Sequence, residues 1–374
     1  MISADNAGTA AAPHGQAVRN WRSVWEWSAT SAPVALLLIA GIAVGPQGIN
    51  LLSPSALPFL NPIVPVALAA LGVLVGLGAG DRRSVDRRIL AAGALAAFIT
   101  MVVVSVGMGL LEWTPLTPVE PIWPFAIVSG ICAATSLTLP SGDSLEPRPH
   151  ATRIIETGVL LPILAGGLLL AWVRTGAPAA SLTLLGQALG VVLALVAAGW
   201  LVLTRASSPT EERVFALSAL LLIGGAADAL AVSALLVGLT AGVFWRYAGG
   251  RPRDTLGRDV LFVQHPLLVL VLLVAGARAE LSLLAMILGL LYATLRTVGA
   301  IAASTGAARV AGRRTSGDLA GHLIRPGVFG VAFALNAAGI AGGGDASLLL
   351  ATIVLGTIGA ELAALLLPLR PMDP

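Results

Sequence analysis

An apolar run that begins near residue 122 ends in the sequence Cys132-Ala133-Ala134-Thr135-Ser136-Leu137-Thr138-Leu139-Pro140-Ser141-Gly142. Hydroxyl side chains followed by proline and glycine are typical of a helix that unwinds before it ends. At membrane depth such irregular backbone is tolerated only where it lines a cavity or packs on protein. The stretch therefore indicates a broken membrane helix. The alternative is a simple kink in which Ser and Thr side chains bond back to the helix.

A second interruption of the same kind lies near the end of the chain. It reads Arg325-Pro326-Gly327-Val328-Phe329-Gly330 and is followed by Asn336 and Gly339. Membrane transporters build solute sites from the ends and free carbonyls of such half-helices. We therefore expect the polar residues of the two breaks to line an ion or solute pathway. These residues are Thr135, Ser136, Thr138 and Asn336.

Composition places both breaks in a membrane protein. Of the 374 residues, 57% are hydrophobic and 11% are charged, whereas a soluble domain carries about 25% charged residues. The mean hydropathy is +0.91. A soluble chain of this composition would lack polar surface, so we expect the lipid bilayer to solvate most of the protein.

Twelve apolar runs are candidate membrane spans, which need about 20 residues each, although the seventh and eighth are short. The sequence thus predicts an all-α polytopic membrane protein with one transmembrane domain over residues 27–374. The first 20 residues are small and polar, and we interpret residues 1–26 as a cytoplasmic tail and not as a cleaved signal. The predicted spans are 27–48, 61–80, 89–111, 122–141, 153–173, 183–204, 213–227, 230–246, 259–277, 281–305, 319–341 and 347–369. Spans 7 and 8 share a predicted break at Gly224-Gly225-Ala226-Ala227-Asp228.

The arginines alternate from one connection to the next. All 22 cationic residues are Arg, and 18 of them fall before span 1, after the even-numbered spans or at the end of the chain. The opposite connections hold only Arg174 and Arg278. Because cytoplasmic loops carry the excess of Arg, both termini are predicted to be cytoplasmic, in a bacterial inner membrane. The eight tryptophans fall near span ends, as expected for an aromatic belt at the membrane surfaces. They are Trp21, Trp25, Trp27, Trp113, Trp123, Trp172, Trp200 and Trp245.

Ionisable residues inside spans are costly and so are functional candidates. Besides Asp228 at the break, they are Glu156, Arg296, Arg325 and Glu361. At about 1.5 Å of rise per residue, all four lie in the predicted inner half of the membrane. They are expected to form an intramembrane charge network, because pairing offsets desolvation. The alternative is that this network only holds helices together.

Other classes of function have little support. The single cysteine, Cys132, and four scattered histidines predict no metal site, and no cofactor is expected. The sequence has no Asp-rich diphosphate motif, no His-Glu metal motif and no Ser/His pair, so enzyme activity is not predicted. The slight excess of arginine reflects membrane topology and not nucleic-acid binding.

Six short motifs follow one another between residues 40 and 369. They are Gly41-Ile42-Ala43-Val44-Gly45-Pro46, Leu71-Gly72-Val73-Leu74-Val75-Gly76-Leu77-Gly78, Ala134-Thr135-Ser136, Ser233-Ala234-Leu235-Leu236-Val237-Gly238-Leu239-Thr240-Ala241-Gly242, Leu295-Arg296-Thr297-Val298-Gly299 and Pro326-Gly327-Val328-Phe329-Gly330. In order and spacing the set resembles the cation/proton antiporter superfamily of the sodium/hydrogen exchanger type.

The resemblance implies a fold and a partner. Spans 4 and 11 lie seven apart and enter from opposite sides, which suits inverted repeats of spans 1–5 and 8–12 with broken crossing helices. By resemblance, spans 3–5 and 10–12 would form a mobile core, and the remaining helices a scaffold that forms a homodimer. The implied function is exchange of sodium or potassium against protons.

One departure from the family changes this expectation. The family places an Asn-Asp or Asp-Asp pair in span 5, where this chain has Leu160-Leu161-Pro162-Ile163. Glu156 resembles the family's upstream acid, which pairs with the span-10 arginine, here Arg296. Without the ion-binding carboxylate we predict little or no cation/proton exchange. The alternatives are an anion or neutral-solute carrier, a channel-like leak, a regulatory membrane partner, or exchange with Glu361 as a substitute carboxylate.

Overall fold

The computed structural model describes residues 34–79, 87–114, 120–136, 150–249, 251–312, 316–341 and 343–366. Every regular element in these ranges is a helix. The helices are α1 (Val34–Val44), α2 (Leu57–Leu60), α3 (Ile63–Ala79), α4 (Arg87–Gly109), α5 (Ile122–Ala133), α6 (His150–Gly158), α7 (Leu160–Thr175), α8 (Pro178–Thr204), α9 (Pro209–Ala229), α10 (Ala234–Ala248), α11 (Arg251–Arg278), α12 (Leu283–Ala311), α13 (Ser316–Ile324), α14 (Val328–Ala341) and α15 (Gly343–Leu366), with a 3₁₀ turn at Leu110–Trp113.

Each of the twelve predicted spans overlaps a described helix, in the same order along the chain. Spans 5 and 11 each consist of two helices, α6 with α7 and α13 with α14, and the short α2 lies in a connection. By length and composition, seven helices of the described residues are able to cross a membrane, and four shorter ones are apolar. The prediction of an all-α polytopic membrane protein is therefore confirmed.

The prediction of a break at Gly224–Asp228 is wrong. Helix α9 continues through these residues to Ala229, and the turn to α10 covers residues 230–233. Gly224 is needed for packing, because a Cβ there would lie 2.5 Å from the Cα of Val66 on α3. A glycine at a helix contact and a glycine at a helix break look alike in a sequence.

The start of α9 is fixed by a reciprocal cap. Ser208 is the N-cap residue, and its hydroxyl accepts a hydrogen bond from the Glu211 N–H. The Glu211 carboxylate in turn accepts from the hydroxyl and the N–H of Ser207, at 2.7 and 2.8 Å. These bonds hold the pKa of Glu211 below its usual value. Such capping satisfies amides that the first turn of a helix leaves free.

Glycine pairs bring two sets of helices into backbone contact. A Cβ on Gly72 of α3 would lie 3.0 Å from the Cα of Gly238 on α10, and one on Gly76 would lie 2.9 Å from the Cα of Gly242. Helix α1 meets α11 in the same way, since a Cβ on Gly41 would lie 3.0 Å from the Cα of Gly276. Small residues four apart allow this approach in membrane helices.

The packing has the symmetry of an inverted repeat. If spans 1–5 correspond to spans 8–12, the contact of α1 with α11 corresponds to that of α10 with α3, and both contacts are present. The contacts of α4 with α5 and with α6 correspond likewise to those of α12 with α13 and with α15. The glycine spacing of Gly41 and Gly45 recurs at Gly238 and Gly242, in the corresponding helix.

Several hydrogen bonds join helix ends that the arginine pattern places on the same side of the membrane. The guanidinium of Arg174 donates to the carbonyls of Leu230 and Ala231, and that of Arg278 to the Asn61 side chain. All these residues lie in predicted outer connections or at the span ends next to them. On the predicted inner side, the Trp200 indole donates to the Gly249 carbonyl at 3.4 Å. The helix order is thus consistent with the predicted alternation.

The tryptophans divide into two groups. Trp123 and Trp172, both at the predicted outer surface, are partly exposed and their ring centroids are 5.1 Å apart. For Trp245 the belt interpretation is wrong, because the side chain is 0% exposed and its indole N–H donates to the Val196 carbonyl at 3.2 Å. Trp245 therefore packs α10 against α8. Trp21, Trp25 and Trp27 lie outside the described residues.

Orientation is testable by cysteine labelling in sealed vesicles. We expect cysteines at Ser84, Ser207 and Ser316 to react only from the cytoplasmic side, and cysteines at Ser55, Pro178 and Gly343 only from the outside. The native Cys132 is buried and provides the unlabelled background. Reaction of the Ser84 variant from the outside would overturn the predicted orientation.

Candidate functional site

Arg296 lies at the centre of the candidate site. Among the described residues it is the one charged side chain that is buried, with 1% of its surface exposed. It lies on α12, and buried residues next to it on that helix, such as Gly299 and Ala300, are small. An isolated buried charge is very costly, so its partners determine what the site can do.

The partners of Arg296 are main-chain carbonyls from the two broken spans. Its Nη1 donates to the Ala133 carbonyl, and its Nη2 donates to the carbonyls of Thr135 at 2.9 Å and Arg325 at 3.3 Å. Tyr292 lies one turn earlier on the same face of α12, close to the guanidinium. One guanidinium therefore connects the end of α5 to the end of α13, a fork geometry for which arginine is suited.

The two breaks cross in direct contact. Helix α5 ends at Ala133, after which Thr135 and Ser136 are non-helical and buried. The Gly327 N–H donates to the Thr135 carbonyl at 3.2 Å, and the Thr135 hydroxyl to the Cys132 carbonyl at 2.9 Å. Gly330 has to be glycine, because a Cβ there would overlap the Cys132 carbonyl oxygen.

The electrostatics of this crossing follow from the helix ends. The C-termini of α5 and α13 each carry about −0.5 charge, and the N-terminus of α14 carries about +0.5. Arg296 adds a full positive charge. The described part of the crossing therefore carries about +0.5 charge before any ion binds.

Span 5 adds no charge at this level. Its two helices meet at Val159, which is buried, and the following Pro162 and Ile163 are buried apolar residues. Glu156 lies earlier, on α6, which packs against α4 and α13. The pairing of Glu156 with Arg296 stays a prediction.

Glu361 and Arg325 lie near the predicted inner end. The Glu361 carboxylate accepts a hydrogen bond from the Ala35 N–H at 2.6 Å, in the first described turn of α1, and the positive charge of Arg325 acts on it. Arg325 itself is exposed. Arg296 thus lies among main-chain carbonyls and Glu361 lies beside the first described turn of α1, and a charge network that joins all four residues stays a prediction.

The four predicted pathway residues do not form one cluster. The backbones of Thr135 and Ser136 are at the crossing, and Thr138 lies outside the described residues. Asn336 is 7% exposed and reaches α10, where its Oδ1 accepts from the Ala234 N–H at 3.4 Å. Sequence reasoning missed Tyr292 and Ser233, although Tyr292 is four residues before Arg296 and so shares its helix face.

Comparison with solved structures decides the fold. A structure of the sodium proton antiporter MjNhaP1 from Methanocaldococcus jannaschii at pH 8 superposes with a TM-score of 0.60 and 16% identity, over 90% of this chain and 89% of that one. The chain has the fold of a sodium/proton antiporter. An electron-microscopy structure of the same antiporter gives a TM-score of 0.58 and 17% identity, over 95% and 94% of the two chains. No protein-family model matches the sequence, and no curated protein matches it significantly.

The antiporter fold confirms the fold that the motifs predicted, including inverted repeats and broken crossing helices. At this identity it leaves the transported solute open. The choice of solute therefore depends on the residues at the crossing.

A double-mutant cycle tests the predicted pair within this fold. If Glu156 and Arg296 interact, the effects of Glu156→Gln and Arg296→Met on the free energy of unfolding should differ from additivity by about 0.5 kcal/mol or more. Unfolding in mixed micelles, followed by circular dichroism, measures all four proteins. Strictly additive losses would show that Glu156 acts elsewhere.

Proposed function

We propose that this chain is a secondary-transporter-like membrane protein that carries a small anion or a neutral solute and does not exchange sodium or potassium for protons. The observation that carries the proposal is the buried Arg296, which satisfies carbonyls of both half-helices where the described crossing has no buried carboxylate. The proposal includes an inner-membrane location, cytoplasmic termini and a homodimer.

Charge balance supports the proposed solute. A cation entering the crossing would meet a fixed guanidinium, without a carboxylate to replace its hydration shell. Proton coupling also needs a group that binds and releases a proton near the solute. Leu160 and Leu161 of span 5 offer neither property.

A second candidate is cation/proton exchange through Glu361. Its carboxylate is half-buried, on a helix that packs against α12, α14 and α1. In the present arrangement it accepts from the Ala35 N–H. Exchange would require the carboxylate to leave that amide and move towards the crossing.

Reconstitution in liposomes separates the candidates. Proton flux is followed with an entrapped pH dye while inward gradients of sodium, potassium, chloride or nitrate are imposed in turn. We expect sodium and potassium gradients to move no more protons than in protein-free liposomes. Cation-dependent proton flux that Glu361→Gln abolishes and Glu156→Gln does not would refute the proposal and establish exchange through Glu361.

A further inference from the structure

The N-terminus of α10 is buried and has more hydrogen-bond donors than acceptors. Ser233, the N-cap residue, is 0% exposed, and its hydroxyl accepts from the Leu236 N–H at 3.4 Å. The Ala234 N–H reaches the Asn336 Oδ1 at the same distance. Both bonds are longer than the usual 2.7–3.2 Å or so. The Leu235 N–H has no partner among the described residues.

Asn336 adds another donor to this helix end. Its Nδ2 is buried and has no hydrogen-bond partner within the described part of the chain. Since the Oδ1 of the same amide contacts Ala234, the Nδ2 lies beside the first turn of α10. A buried donor without an acceptor costs about 1–3 kcal/mol. The first turn of α10 and Asn336 therefore have spare hydrogen-bond donors and need an additional acceptor.

Two positive groups lie at this helix end. The helix N-terminus contributes about +0.5 charge. Arg174, at the end of α7, donates to the carbonyls of Leu230 and Ala231, the latter two residues before Ser233. Asp228 lies in the last turn of α9, and its side chain is exposed. A negatively charged acceptor would complement the unpaired donors and the positive end of α10.

From these observations we infer that the α10 N-terminus, Ser233 and Asn336 form a binding site for a small anion with hydrogen-bond acceptors. The inference rests on the proposed function, because it places the anionic group of the solute at the predicted outer end of the pathway. Asn336 is on α14 of the expected mobile core and Ser233 begins α10 of the expected scaffold. The site is closed in this structure, and movement of α14 away from α10 would open it.

Nitrate is a suitable probe, with gluconate as a bulky reference anion. The thermal unfolding midpoint of the purified protein is measured while nitrate replaces gluconate at constant ionic strength, with N-methyl-D-glucamine as the cation throughout. A ligand that binds only the folded state raises this midpoint saturably. We expect such a rise for the wild type. In Asn336→Asp we expect the apparent nitrate affinity to fall at least tenfold, because Asp keeps the acceptor for Ala234 but replaces the donor with a negative charge.

Gln47→Glu is the matched control. Its Oε1 accepts from the Leu281 N–H at 2.7 Å on the predicted outer surface, so this change also turns an amide acceptor into a carboxylate. We expect Gln47→Glu to keep the wild-type nitrate response. If Asn336→Asp does not fold, Asn336→Ala removes the donor without adding charge, and the same loss is expected.

Three results would overturn the inference. They are a wild type without a saturable nitrate effect, an Asn336 variant that keeps the effect, and a Gln47→Glu protein that loses it equally. Sodium-driven proton flux would refute the proposed function by itself. The nitrate titration contains no sodium and is read independently of that result.

Discussion

Arg296→Met is expected to destabilise the protein by about 3–5 kcal/mol, because it removes hydrogen bonds from a charged donor that are worth about 1.5–3 kcal/mol each. The substitution leaves the carbonyls of Ala133, Thr135 and Arg325 without the donor that joins them. Each buried carbonyl that stays unsatisfied costs about 1–3 kcal/mol. Both half-helix ends also lose the charge that opposes their dipoles.

Two further variants separate charge from geometry. Arg296→Lys keeps the charge, but a single ammonium lacks the planar fork, so we expect it to recover only part of the loss. Arg309→Met lies on the same helix at an exposed position and should change stability by less than about 1 kcal/mol. Unfolding in mixed micelles, monitored by circular dichroism, gives the comparison. Equal stability of Arg296→Met and Arg309→Met would refute the role of Arg296 in joining the half-helices.

Gly238→Ala is also expected to lower the stability of the folded protein strongly. Its added Cβ would overlap the Ala69 carbonyl oxygen at the contact of α10 with α3. Because the obstacle is backbone, the two helices have to separate, and we expect a loss of about 3 kcal/mol or more, the upper part of the range for overpacking.

Gly190→Ala is the control for the loss of a helical glycine. Gly190 lies on an exposed face of α8, where a Cβ would meet no other part of the protein within 4 Å. Alanine is the better helix former by about 1 kcal/mol, so this variant should be neutral or slightly more stable. The same unfolding assay measures both proteins. A Gly238→Ala protein as stable as Gly190→Ala would contradict the close contact of α3 with α10.

The sequence predicts the fold better than the site because the fold depends on local signals. Apolar runs and alternating arginines determine the order of the helices, and Pro326-Gly327 identifies the break between α13 and α14. By contrast, the partners of Arg296 are main-chain carbonyls 29 to 163 residues away, and carbonyls carry no sequence signal. The sequence therefore predicts carboxylates as partners, because only side chains can be read from it.

The two wrong predictions have the same origin. Trp245 lies at a predicted span end but is buried against Val196 of α8. Gly224 and Gly225 suggest a break, yet Gly224 is a packing position against Val66. In both cases tertiary contact determines the role of the residue, and position along the chain does not reveal that contact.

We propose that the described part of the crossing of the two broken helices contains no cation site. The most direct measurement is the thermal unfolding midpoint of the purified protein at constant chloride and ionic strength, with sodium replacing N-methyl-D-glucamine. If a sodium site exists, sodium at a concentration of about one hundred times its dissociation constant would stabilise the folded state by about 2.7 kcal/mol. We predict the same midpoint in both cations at every pH tested. A saturable rise specific to sodium, larger at high pH where protons compete less, would contradict the account.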